Sequence, residues 1–306
     1  MGAASAKQLF VLGPAVLAPW LAAACSCGTN CTRVEDNFHG VWCLRECGFA
    51  VLRGIYEKAA LDELNAAVEE YRKELQDEWG MAGLRGEHLE LGFPNRYPFN
   101  KSEWLYNPRL SQFVEEYSGA KVTLDLVTLV LNPASGSTYQ TWHMDDIEEP
   151  FALQVQIPLI DVSSTNGPTE LSVLKYDVMS AFQVSERYLR EVWDGRESTF
   201  EEDEPFRDFL KKEGLLLECT IKGTYERGSV MAYINGLPHR GTPNLSPHNR
   251  VAMYHTYGTM FERAKDILIP SRSKFQPSME LYSRLYEQQR DEDHKATTAK
   301  TPHDEL

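Results

Sequence analysis

Two histidines, an aspartate and an arginine carry the clearest chemical signal in this chain. His143 and Asp145 stand close together within the stretch Tyr139–Asp146, and His239 and Arg250 follow much later. Two imidazoles and one carboxylate can occupy one face of an iron(II) ion and leave the opposite positions open for O2 and a co-substrate. An arginine beyond the second histidine can hold a carboxylate of that co-substrate with two parallel hydrogen bonds. The set therefore predicts a non-heme iron site.

A second carboxylate competes for the third ligand position. Asp146 directly follows Asp145, but neighbouring side chains of an extended strand point to opposite faces. Asp145 shares the face of His143, so we assign the ligand to Asp145. An iron oxygenase that uses a halide typically lacks this carboxylate, and its presence favours hydroxylation or desaturation over halogenation.

Weaker signals surround the metal ligands. Ser246 could donate its hydroxyl to the carboxylate that Arg250 holds, and Gln140 could orient the co-substrate. The alternative for Ser246 is an ordinary turn serine. Three residues are candidates for the substrate pocket, although loop polarity or packing explains them equally well: Arg96, Tyr97 and Trp142.

The bulk composition limits the class of protein and its partners. The 306 residues suffice for a large domain with a substantial core. A hydrophobic content of 42% and a charged content of 25% are ordinary for a soluble globular protein. The net charge of −14 argues against a nucleic-acid or anionic-membrane partner. We expect a small-molecule or polypeptide substrate and no nucleic acid.

The elements that must position the ligands form a mostly β pattern with flanking helices. Apolar and alternating stretches predict strands over 49–54, 122–131, 151–159, 171–174, 229–234 and 250–257. Helical spacing occurs over 58–75 and 110–117, and a long loop is expected over 80–100. Antiparallel strands that carry ligands at their ends indicate a double-stranded β-helix of the jelly-roll or cupin type.

The two ends of the chain predict a compartment. Residues 1–24 have the pattern of a signal peptide, since Lys7 precedes an apolar run and Ala22 and Ala24 suit a cleavage site. The run is short for a membrane span, so we expect no transmembrane segment. The last residues, His303–Leu306, match an endoplasmic-reticulum retrieval address. We therefore expect the lumen of the endoplasmic reticulum and a retrieval receptor as partner.

The chain divides into four predicted parts. A Cys-rich segment over 25–37 follows the signal peptide, and an oxygenase domain spans 38–264. A charged, helix-compatible insertion interrupts this domain over 175–215. Residues 265–306 form a polar tail, in which 288–300 is predicted to be disordered.

The cysteines favour an oxidising environment. Five of the six cluster near the presumed mature N-terminus, and Cys219 stands apart. The clustered residues are Cys25, Cys27, Cys31, Cys43 and Cys47. An even number in a secreted chain predicts disulfides, whose pairing the sequence leaves open. A zinc site is the weaker alternative, and the lack of a Cys-x-x-Cys motif counts against a disulfide-handling enzyme.

From about Phe38 to about Tyr257 the chain resembles the phytanoyl-CoA dioxygenase-like iron(II)/2-oxoglutarate oxygenases. The similarity lies in Phe38-His-Gly with 49–54, Gln140-x-x-His143-x-Asp145, Asn166-Gly-Pro168, and the closing motif from Gly228 through His239 to Arg250. One departure is the stretch 171–177, which replaces a Pro-Gly-Ser-His segment that the family often has. No substrate role carries over from that segment. The acyl-CoA substrate of peroxisomal members does not carry over either, because His303–Leu306 matches a retrieval signal of the endoplasmic reticulum.

The resemblance implies a fold, two cofactors and a reaction. It implies a double-stranded β-helix that binds Fe(II) through His143, Asp145 and His239 and anchors 2-oxoglutarate on Arg250. The expected activity is hydroxylation of an unidentified substrate with release of succinate and CO2. A desaturase or epimerase using the same chemistry and a non-catalytic binding module of the same fold are the alternatives.

Overall fold

The computed structural model describes residues 30–79, 88–134, 137–140, 143–145, 152–172, 220–258 and 276–299. The strands in these ranges are β1 (Phe49–Leu52), β2 (Leu89–Gly92), β3 (Thr123–Asn132), β4 (Leu153–Pro158), β5 (Thr169–Ser172), β6 (Thr220–Lys222), β7 (Val230–Ile234), β8 (His239–Gly241) and β9 (Arg250–Gly258). The helices are α1 (Asn37–Cys47), α2 (Lys58–Trp79), α3 (Ser102–Leu105), α4 (Pro108–Ser118) and α5 (Gln276–Ala299).

Two antiparallel sheets form the core. The larger sheet has the strand order β1-β7-β4-β9-β3-β2, and the smaller has the order β6-β5-β8. Two residues outside the named strands also pair with β8, because the backbone N–H of Gln140 donates to the carbonyl of Gly241 at 3.0 Å and His143 pairs with His239. Gln156 on β4 reaches Thr169 on β5 at 3.3 Å, so the inner faces of the sheets meet. This arrangement confirms the predicted double-stranded β-helix core.

The outer face of the larger sheet is apolar and packs against helices. On β9, the alternate residues Val251, Met253 and Tyr257 are buried. The Tyr257 ring lies 5.8 Å from the ring of Tyr286 on α5. Because side chains alternate between the faces of a strand, the same strand can present a different chemistry to the interior of the barrel.

The inner face of the same strand is polar. Arg250, Tyr254 and Thr256 alternate with the apolar set. Thr256 donates to the side-chain oxygen of Gln154 at 3.0 Å, and the Tyr254 hydroxyl bonds with the Gln156 amide. Buried polar groups need such partners, since leaving one unpaired costs about 1–3 kcal/mol. The barrel interior is therefore suited to a polar ligand.

Local sequence explains where two of the flanking helices begin and end. Asp36 caps α1 by accepting from the backbone N–H of His39 at 2.8 Å. The helix ends at Gly48, whose φ of 76° is left-handed and favours glycine. Asn107 caps α4 in the same way, immediately before Pro108 in the first turn.

Two sequence-based expectations about elements are wrong, and one helix was not expected. Residues 38–40, for which the sequence predicts no strand or helix, lie in α1, because the Asp36 cap starts a helix there. The expected loop over 80–100 contains β2, which pairs with β3 at the sheet edge. The expected disorder over 288–300 is replaced by helix α5 as far as Ala299. The 175–215 insertion and the predicted signal and retrieval sequences lie outside the described residues.

Helix α5 is held by a few specific contacts, which is why composition alone does not reveal it. The Tyr286 hydroxyl lies 2.8 Å from Ser111 Oγ on α4. Arg290 is buried and donates to the carbonyl of Val122 at 2.9 Å. No helix within the described ranges has both the length and the apolar character needed to cross a membrane.

A disulfide fixes the N-terminal segment to the domain. Cys31 is bonded to Cys43 of α1, so the zinc alternative is wrong for these two residues, and Cys47 is also disulfide-bonded. Val34 donates its N–H to the carbonyl of Val51 at 2.9 Å. The part of the Cys-rich segment that follows Asn30 therefore packs as part of the domain.

The stability of the fold should depend on pH through His255. Burial lowers the pKa of this histidine from 6.5 to about 3. Below about pH 6.5 the unfolded chain binds a proton that the folded protein rejects, so the free energy of unfolding falls as the pH falls. Between about pH 7 and about pH 5, this residue should lower the free energy of unfolding by roughly 2 kcal/mol.

The measurement is chemical denaturation of the wild type and of His255→Gln at both pH values. The variant should start from a lower stability and lose less of it on acidification. A pH dependence equal in both proteins would mean that His255 does not stay neutral in the fold.

Candidate metal centre

Backbone pairing brings the three predicted metal ligands together. His143 and His239 exchange two hydrogen bonds of 2.9 Å across the end of the smaller sheet. The N–H of Asp145 donates to the carbonyl of Asn235 at 3.1 Å, just beyond the end of β7. The two parts of the chain are far apart in sequence, and the strand pairing places their side chains at one end of the barrel.

The ligand atoms form a compact group. Asp145 Oδ1 lies 3.4 Å from Nε2 of His239 and 3.8 Å from Nε2 of His143. The three ligand atoms are all within 4.8 Å of one another. A divalent first-row ion bound at about 2.0–2.2 Å from each ligand needs spacings of this order. The two imidazoles are buried and Asp145 is partly exposed, so the cluster can hold a cation with one side open.

One imidazole is oriented by a hydrogen bond from its other ring nitrogen. Nδ1 of His239 lies 2.9 Å from the carbonyl oxygen of Leu237. A carbonyl can only accept, so Nδ1 carries a proton, and in the neutral ring Nε2 is then the nitrogen that can bind a metal. Ligating histidines commonly donate their second N–H in this way, which fixes the ring orientation. The ring is therefore oriented before any metal arrives.

A tyrosine that the sequence analysis did not identify contacts two of the ligands. The hydroxyl of Tyr233 donates to Asp145 Oδ2 at 3.2 Å, and its ring lies 4.8 Å from that of His239. Burial, and then the Asp145 carboxylate, raise the pKa of Tyr233, so the hydroxyl stays protonated as a donor. In sequence this residue reads as one more apolar position of the stretch 229–234. Only the alternation of β7 could have indicated that it faces inward.

Arg250 is a buried cation with unused donors. Its side chain is 1% exposed, and neither Nε nor Nη1 has a hydrogen-bond partner among the described residues. A buried charge without a partner is strongly unfavourable. The nearby His88 stays neutral, because burial and the charge of Arg250 lower its pKa to about 3. The guanidinium is therefore suited to a bound anion.

The two other co-substrate candidates make hydrogen bonds within the fold. Gln140 Oε1 accepts from the N–H of Gly241 at 2.6 Å. A Cβ atom at Gly241 would lie 2.3 Å from His88 Cε1, so only glycine fits between these side chains. Ser246 Oγ lies 2.7 Å from Asn244 Oδ1, in the turn that precedes β9. Gln140 thus lies beside β8, whereas Ser246 belongs to a turn.

The structure does not bring the described substrate candidates to the metal ligands. Arg96 pairs with Glu74 of α2 at 2.5 Å. Tyr97 is 69% exposed, and its hydroxyl donates to Glu63 of the same helix at 2.5 Å. Both side chains are thus engaged with α2. Trp142 and Asp146 lie outside the described residues.

Comparisons with known proteins rest on structure alone. No family model matches the chain, and no curated protein sequence matches it either.

Solved structures share the fold at low sequence identity. AviO1 from Streptomyces viridochromogenes Tue57 is 16% identical with a TM-score of 0.54, covering 74% of this chain and 97% of its own. The epimerase SnoN, in complex with Fe3+, alpha ketoglutarate and nogalamycin RO, is 12% identical with a TM-score of 0.53, covering 72% and 83%. EctD from S. alaskensis, with bound Fe, is 14% identical with a TM-score of 0.52, covering 72% and 75%. These likenesses confirm the predicted fold class.

Proposed function

We propose that this chain is a phytanoyl-CoA dioxygenase-like iron(II)/2-oxoglutarate-dependent oxygenase that hydroxylates a substrate still to be identified. The observation that carries the proposal is the buried Arg250, whose unpaired donors line the same barrel that holds the His143, Asp145 and His239 cluster. A metal site alone would not require such a cation. A dicarboxylate that spans the metal and the guanidinium accounts for both features.

The residues present fit both groups. Two neutral imidazoles and one carboxylate are a donor set suited to iron(II), and they leave positions open for a co-substrate. Arg250 would hold the distal carboxylate of 2-oxoglutarate through two hydrogen bonds. When bound, iron(II) and 2-oxoglutarate together supply the reduction of O2, with release of CO2 and succinate and oxidation of a substrate C–H bond.

The protein's own contribution is orientation and shielding. His239 is fixed by its bond to the Leu237 carbonyl, and Asp145 by its bond to the Tyr233 hydroxyl. The apolar outer face and the packed helices keep bulk water from the larger sheet. Electrostatic contacts inside the barrel are stronger for that reason, and a bound dianion would neutralise Arg250 there.

A different oxidation on the same scaffold is the second candidate. The SnoN structure is described as that of an epimerase and contains iron and alpha ketoglutarate, so this fold is not restricted to hydroxylation. Epimerisation or desaturation would use the same metal ligands and the same co-substrate anchor. A non-catalytic binding module is disfavoured because the chain keeps all three ligands and Arg250.

Succinate formation tests the proposal and separates these candidates. Purified protein is loaded without oxygen with Fe(II) and 2-oxoglutarate, O2 is admitted, and succinate is measured with and without candidate small-molecule and polypeptide extracts. We expect succinate only when iron, 2-oxoglutarate and O2 are all present, and more of it with the right extract. Product mass then distinguishes hydroxylation (a gain of oxygen) from desaturation or epimerisation. No succinate under any condition would favour a binding module.

We further propose that the protein works in the lumen of the endoplasmic reticulum. The disulfide between Cys31 and Cys43 supports an oxidising compartment. Deleting His303–Leu306 from a tagged copy expressed in eukaryotic cells should send the protein into the medium, because the retrieval receptor could no longer return it. Immunoblots of cells and medium measure the change. A protein that stays in the cytosol or the peroxisome with or without these residues would contradict the proposed location. An acyl-CoA would then again be a candidate substrate.

A further inference from the structure

The carboxylate of Asp145 is divided between two roles. Its Oδ1 atom faces Nε2 of both histidines, at 3.4 Å and 3.8 Å. Its Oδ2 atom accepts a hydrogen bond from the hydroxyl of Tyr233 at 3.2 Å. Oδ1 thus faces the candidate metal position, and Oδ2 is hydrogen-bonded to the hydroxyl of Tyr233 on β7.

Tyr233 is itself fixed in position, so it can hold the Asp145 carboxylate in this orientation. It lies on β7, between β1 and β4, opposite Phe49 on β1 and Gln154 on β4. The side chain is 2% exposed, and its ring is packed 4.8 Å from His239. A buried tyrosine loses little freedom when its hydroxyl finds a partner, because only two torsions have to be fixed.

We propose that Tyr233 is a positioning residue that restricts Asp145 to a single oxygen ligand. This inference rests on the proposed function. A carboxylate freed from the Tyr233 hydroxyl can rotate, so that Oδ1 is no longer held toward the metal position and Oδ2 can turn toward it. The second oxygen would then occupy a position that the co-substrate needs. Tyr233 therefore acts through Asp145 on both the affinity for the metal and the entry of 2-oxoglutarate.

The test is Tyr233→Phe, which removes only the hydroxyl. The affinity for Mn(II) is measured without oxygen, by calorimetry or electron paramagnetic resonance. This measurement reports on the site without any catalysis. Loss of a group that orients a metal ligand typically costs about 10–100-fold in affinity. We expect a loss of about 10-fold at the lower end of that range. The apparent KM for 2-oxoglutarate should rise as well, with a smaller effect on kcat.

The matched control is Tyr257→Phe. Tyr257 is equally buried in the same sheet, but it faces α5 and bonds to His255. Its variant should bind Mn(II) within about twofold of the wild type, since sites that share no contact partners are coupled only weakly. Circular dichroism confirms that both variants are folded.

A double-mutant cycle with Asp145→Ala decides between positioning and general packing. If Tyr233 acts through the carboxylate, Tyr233→Phe should have no further effect on Mn(II) affinity in the Asp145→Ala background. An equal loss in both backgrounds, or no loss in the wild-type background, would overturn the inference. Asp145→Ala that binds Mn(II) as well as the wild type would instead overturn the proposed metal site. The two failures are thus distinguishable.

Discussion

Alanine at His143 or at His239 should abolish iron-dependent succinate formation. Each substitution removes one of three ligands, and the remaining imidazole and carboxylate cannot hold iron(II) with the required geometry. The loss should exceed the roughly 10–100-fold effect typical of residues that only orient a ligand. Iron content after anaerobic loading and succinate release per protein are the two measurements. Because the histidine rings line a site and carry little of the apolar core, thermal unfolding should change little.

His248→Ala is the matched control for these variants. This histidine lies in the turn before β9 and is exposed, whereas both ligand histidines are buried. It should keep the iron content and the succinate yield of the wild type. Full activity in either ligand variant would mean that the metal, if any, is bound elsewhere.

Removing the charge of Arg250 should have opposite effects on the free protein and on its complex with 2-oxoglutarate. Without an anion, the unpaired guanidinium is costly, and Arg250→Met should be at least as stable as the wild type. With 2-oxoglutarate at about 100 times its Kd, the wild type should gain roughly 2.7 kcal/mol. The variant should gain nothing. Thermal unfolding with and without 2-oxoglutarate measures both effects.

Arg250→Lys separates the geometry of this contact from its charge. Lysine keeps the cation but loses the fork that binds a carboxylate at two points, so the apparent KM for 2-oxoglutarate should rise by about 10-fold. Arg240→Lys is the control, because Arg240 is partly exposed and pairs with Glu170 at 2.8 Å. An unchanged KM in Arg250→Lys would place the carboxylate on another group.

The sequence predicts well the long strands and the group formed by His143, Asp145 and His239, for a physical reason. Strands β3, β4, β7 and β9 carry continuous or alternating apolar residues, because they form the centre of the larger sheet. His143 and Asp145 are only two residues apart, and His239 and Arg250 belong to the same closing motif. Both signals are contained in short stretches, so neither depends on knowing which strands pair.

What the sequence could not supply depends on contacts between distant elements. β6 and β8 have only three residues each, too few to show a period. Helix α5 is polar along most of its length and is fixed by the side chains of Tyr286 and Arg290. Tyr233 receives its role from Asp145, a residue on another segment that the folded barrel brings to 3.2 Å. Such pairings arise only when the sheets close.

The alternation along β9 has a consequence for how this protein could evolve or be redesigned. Even-numbered positions such as Tyr254 and Thr256 face the interior of the barrel, while odd-numbered positions such as Val251 and Met253 pack on the outer face of the sheet. Selection on substrate preference and selection on thermostability therefore act on interleaved but separate sets of residues. A library restricted to the inward positions other than Arg250 would sample new substrates while leaving the folded framework intact.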